Sequence, residues 1–63
     1  MSVDLLKHLS NKINDEIKVI SDDISLGKAK DFGEYKHAVG ILRGLMIANS
    51  ILAATAEKYE EIE

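Results

Sequence analysis

A chain of sixty-three residues makes one domain, and a domain of that size buries only about 60% of the surface its unfolded chain exposes, so its core is marginal without further support. With no cysteine the disulfide route is closed, which also fits a reducing compartment, and with no proline long helices run uninterrupted. A net charge of −3 with 30% charged residues offers no basic surface for a phosphate backbone and argues against general nucleic-acid binding.

The opening Met1-Ser2-Val3-Asp4 lacks the basic and apolar regions of a secretory signal, so the protein is expected to stay where it is made. Ser2 is placed to cap a first helix, with Asp4 in its first turn where the helix dipole favours a carboxylate. Leu6, Leu9, Ile13, Ile17, Ile20 and Ile24 follow at helical spacing and form one apolar stripe. Lys12, Asp15, Glu16, Lys18, Asp22 and Asp23 read as the solvated side, with Lys12–Glu16 and Lys18–Asp22 at i and i+4. Leu5 and Val19 lie off the stripe and widen it enough to touch a second neighbour.

Ser25-Leu26-Gly27 ends this helix, Gly27 being suited to a left-handed C′ position. After Lys28-Ala29-Lys30, Asp31 stands three residues before Glu34 as a capping box, so a second helix should begin near Phe32. The expected fold is all-α. One domain over residues 1–63 forms an antiparallel two-helix hairpin, with a first helix at about 3–25, a loop at 26–31 and a second helix at about 32–61. Glu60, Glu61 and Glu63 crowd the negative end of the second helix dipole, where fraying is expected unless a partner holds it.

The second helix carries two stripes. Tyr35, Ala38, Leu42, Leu45, Asn49, Leu52, Ala56 and Tyr59 form a seam, and Gly40, Ile41, Gly44, Ala48, Ile51 and Thr55 share a neighbouring face. One other helix cannot cover both, so one face is expected to receive another subunit. Each mid-helix glycine costs about 0.5–1 kcal/mol relative to alanine, and Gly40-x-x-x-Gly44-x-x-x-Ala48 therefore asks for close approach by a helix, either the first one or a second copy. Asn49 in the seam reads in two ways. It pairs across an oligomer interface and fixes its register, or it bonds locally to a backbone carbonyl or to Ser50. The expected interface is Gly40, Ile41, Gly44, Ala48, Asn49, Ile51 and Leu52, with Arg43 as a cation for a partner carboxylate.

Chemistry finds little footing. Glu34-x-x-His37 matches a di-iron half-motif, and Asp22 or Asp23 would be nearby in a hairpin, but Glu34 already has a capping role; no metal or cofactor is expected. His8 and His37 without cysteine give no nucleophile–base pair, and Gly27-Lys28 lacks the upstream glycine of a phosphate loop, so the chain is read as non-enzymatic. Lys28, Lys30, Lys36 and Arg43 form a modest basic patch for acidic groups of a partner protein. The apolar run over 38–56 raises a membrane span. Arg43 would cost about 2.5–3.5 kcal/mol at a bilayer centre, and with Asn49, Ser50 and no aromatic belt the expectation is no membrane.

The stretch Gly27-Lys-Ala-Lys-Asp-Phe-Gly-Glu-Tyr-Lys36 and then Val39-Gly-Ile-Leu-Arg-Gly-Leu45 resembles small helical proteins among the virion and assembly components of tailed bacteriophages. The matching elements are Lys30-Asp31-Phe32, Tyr35 and Gly40-x-x-x-Gly44-Leu45. The resemblance implies a structural virion part that associates with itself and with capsid, portal or tail proteins. It would assemble in the host cytoplasm, with Asp31 and Phe32 setting the turn and Gly40 and Gly44 the tight helix contact. The alternatives are an adaptor hairpin that binds a partner protein, a metal-binding four-helix bundle formed by dimerisation, and a holin-like membrane protein.

Overall fold

The computed structural model describes the backbone of residues 3–62 and the side chains of residues 3–59; the expected cap at Ser2 and the carboxylates of Glu60, Glu61 and Glu63 lie outside the described side chains. Two helices, α1 (Val3–Ser25) and α2 (Phe32–Ile62), lie against each other as a hairpin about 48 Å long and 14 Å across. The boundaries agree with the sequence reading to within a residue, because both ends of the loop carry their own local chemistry.

At the first end, Gly27 takes φ +69°, its amide donates to the Ile24 carbonyl at 3.1 Å, and the Lys28 amide reaches Asp23 at 3.1 Å. Those two bonds make a Schellman stop, which satisfies carbonyls the helix would leave orphaned. Lys28 Nζ adds a 3.2 Å ion pair with Asp23 Oδ1. Gly27→Ala would force a Cβ into the left-handed region. It should lower the thermal midpoint by an amount equivalent to about 1–2 kcal/mol, read by circular dichroism.

At the second end, the Glu34 amide donates to Asp31 Oδ1 at 2.8 Å, the expected cap. Glu34 returns the contact one residue further out than a standard capping box, accepting from the Lys30 amide at 2.7 Å. Phe32 is 71% exposed, stacks on Tyr35 and lies beneath Lys36 Nζ, so the turn is set by Asp31, Glu34 and Gly27 without an aromatic plug between the helices.

The seam between the helices holds Leu6, Ser10, Ile13, Ile17, Ile20 and Ile24 of α1 against Ala38, Leu42, Leu45, Asn49, Leu52 and Ala56 of α2, all buried or half-buried. The α2 side is the one expected, except that Tyr35 and Tyr59 at its ends are exposed. On α1, Ser10 takes the place expected for Leu9, which is 40% exposed. The reason is polar. Ser10 Oγ donates to Asn49 Oδ1 at 2.7 Å, and Asn49 Nδ2 donates to Asn14 Oδ1 at 3.0 Å. Asn49 thus fixes the register of the two helices within one chain; neither of its two expected roles describes that arrangement.

Only Leu6, at 3% exposure, and Ala56, at 7%, are buried among the described residues, and no side chain is fully enclosed. The expected i,i+4 pairs Lys12–Glu16 and Lys18–Asp22 do not close to ion-pair distance, which leaves all four charges to solvent.

Candidate interaction surface

Helix α2 is apolar on nearly every side over residues 38–56, and a helix of that kind is stable where something surrounds it. Helix α1 covers one side. The rest is open: Val39, Ile41, Met46, Ile47 and Ile51 are all exposed, Ile51 by 63%.

Gly40 and Gly44 decide what the small-residue stripe faces. A Cβ built at either would meet nothing within 4 Å, so α1 neither approaches these glycines nor fills the space beside them. Of the two neighbours the sequence left open, the first helix is removed. The expected interface residues therefore divide. Gly40, Ile41, Gly44, Ala48 and Ile51 are exposed, whereas Asn49 and Leu52 are half-buried in the seam, Asn49 bonded to Ser10 and Asn14. Thr55 turns its hydroxyl back to the Ile51 carbonyl at 2.8 Å, so it needs no outside partner. Arg43 is exposed, and no described carboxylate reaches it.

Two grooves mark the two sides of the hairpin. One, an open cleft of about 490 Å³ at the loop end, is lined by Asp23 and Ile24 of α1, Lys28 and Ala29 of the loop, and Gly33, Glu34, His37 and Ala38 of α2. The other lies toward the opposite end, between Lys7 and Ser10 of α1 and Ala53, Ala56 and Glu57 of α2. Stepping along α1 from Asp23 by fours and threes gives Val19, Glu16, Lys12, Leu9 and Leu5, and stepping along α2 from His37 gives Ile41, Gly44, Ala48, Ile51 and Thr55. Both runs lie on the side of the first groove. Leu5 and Val19, off the expected stripe, and Leu9, expected on it, thus join the glycine stripe of α2 in one face, an association that needed the handedness of the hairpin to see.

The first groove also gathers Asp23, Glu34 and His37, the residues of the di-iron half-motif and its possible helper. They do not make a ligand set. Glu34 Oε2 is engaged by the Lys30 amide and Asp23 by Lys28, and among the described residues no three His, Cys, Asp or Glu side chains are grouped to hold an ion.

The stretch Phe32–Tyr59 is long and apolar enough to cross a membrane by length and composition. In the hairpin, however, α1 runs alongside it, and Lys12, Asp15 and Lys18 would then enter the hydrocarbon at about 2.5–3.5 kcal/mol each near its centre. A span would require α1 to detach.

A folded monomer of 7.0 kDa exposes about 4,000 Å² by the scaling of surface with mass. This hairpin exposes 4912 Å². The difference follows from the elongated shape, about 48 Å by 14 Å by 14 Å, which leaves both helices open along most of their circumference. Compared with known proteins, the chain matches no family, no curated protein and no solved structure.

Proposed function

We propose that this chain is a non-catalytic structural module whose hairpin completes its core by associating with further copies through the open side of α2. The observation that carries this reading is the exposed apolar surface of α2, where Val39, Ile41, Met46, Ile47 and Ile51 are uncovered on a helix whose Gly40 and Gly44 face empty space. Exposed apolar side chains clustered on one helix mark an interaction site. The resemblance of residues 27–45 to small virion components of tailed phages gives the setting, a particle in which many symmetric copies meet larger capsid, portal or tail proteins. In that setting Tyr35, Val39 and Met46, on the side away from the glycines, remain for the larger partner.

Light scattering on the purified chain tests the reading. A dimer or larger species at tens of micromolar is expected, and a species of 7.0 kDa that is folded at every concentration would refute it. A second reading, α2 as a membrane span, draws on the length and hydropathy of Phe32–Tyr59. It requires the chain to need detergent to stay dispersed, whereas the assembly reading expects a soluble oligomer.

A further inference from the structure

Resting on the self-association proposed above, we infer how two copies meet: α1 against α1 and α2 against α2, both antiparallel, in a four-helix bundle whose two hairpin loops lie at opposite ends. The face carrying Gly44 has contributions from both helices, and each contribution is spaced symmetrically about its own midpoint, with His37 against Thr55 and Leu5 against Asp23 at the ends. On α2 the run His37, Ile41, Gly44, Ala48, Ile51, Thr55 has spacings of four, three, four, three and four, centred on position 46. Reversed against itself, it sets Ile41 against Ile51 of the second copy and Gly44 against Ala48 of the second copy. Large meets large and small meets small, which lets the two backbones approach at the middle.

On α1 the run Leu5, Leu9, Lys12, Glu16, Val19, Asp23 is centred on position 14. Reversal sets Leu9 against Val19 of the second copy and Lys12 against Glu16 of the second copy. Both charges are exposed and have no ion-pair partner among the described residues. The two centres coincide in height. Asn49 bonds to Ser10 and to Asn14, so residue 49 is level with about residue 12, and position 14 falls level with about position 47. One two-fold axis can therefore serve both helix pairs.

The alternative stacking, with both loops at one end, lays α2 on α1 of the second copy. It sets Gly44 and Ala48 against Lys12 and Glu16, where small apolar residues would cover charges without pairing them. Charge complementarity selects the first arrangement.

The test uses the absence of native cysteine. Lys30→Cys puts a single spin label at the loop, and the label-to-label distance in the oligomer is measured by pulsed electron resonance. At about 1.5 Å per residue, loops at opposite ends give roughly 45–50 Å and loops at the same end give under about 25 Å. Alongside it, Ile51→Lys should reduce the oligomer to monomer, while Met46→Lys, on the other side of α2, should leave its mass unchanged. A short distance, or dissociation by Met46→Lys and not by Ile51→Lys, overturns the arrangement and leaves self-association standing. A folded monomer with no dipolar signal at any concentration overturns both and gives the face to a different protein.

Discussion

Replacing Gly44 with leucine should make the isolated helix more stable and the assembly less so. Within one chain a Cβ at position 44 meets nothing within 4 Å, so leucine enters open space and brings its better helix propensity, about 0.5–1 kcal/mol over glycine. Across a close helix contact the same side chain overpacks, at about 1–3 kcal/mol. A two-fold contact holds two copies of the substitution, so the dissociation constant should rise on the order of a hundredfold or more. The two effects have opposite sign, which separates this reading from the bland one. A glycine merely tolerated in a solvated helix would give a more stable chain of unchanged mass. Light scattering with a thermal melt, both above and below the wild-type dissociation range, reads the two terms separately.

Leu6→Ala should remove much of the stability of the fold. Leu6 is the one large side chain buried among the described residues. Truncating a buried leucine costs about 2–5 kcal/mol, and a domain of this length holds roughly 3–9 kcal/mol in total at typical stability per residue. The variant should therefore melt far below the wild type or fail to fold. Leu9→Ala gives the contrast. At 40% exposure Leu9 contributes less to the hairpin, and its loss should be felt mainly as weaker association, because it lies on the face shared with the glycines. Equal losses at the two positions, measured at high dilution, would contradict the assignment of the seam.

Leu6 and Leu9 look equivalent in the sequence, both on one apolar stripe, and their separation shows what was legible and what was not. The helix ends were legible because Gly27 and the Asp31–Glu34 pair act within a few residues of themselves. The α2 seam was legible because its apolar period is unambiguous. The choice of Ser10 over Leu9 was not, since it depends on which residue of α2 arrives opposite, and that is fixed by the loop geometry and not by α1 alone. Asn49 stood out as a polar residue in an apolar seam, yet its partners Ser10 and Asn14 are 39 and 35 residues away and carry no local signature. The glycine stripe was legible as a run of small residues at helical spacing. That Leu5, Leu9 and Val19 belong to the same face required knowing which side of α1 turns toward it.

The central claim is that association with further copies adds to the stability of this hairpin, and the most direct measurement is the thermal midpoint, by circular dichroism at the helix band, across a hundredfold range of chain concentration. Coupled folding and association make the midpoint rise with concentration, because partner copies stabilise the folded state by mass action. A midpoint that climbs steadily over that range is the expected result. A cooperative melt at one fixed temperature, with full helicity at the lowest concentration, would contradict the claim and show that the seam around Leu6 and Ala56 is sufficient by itself.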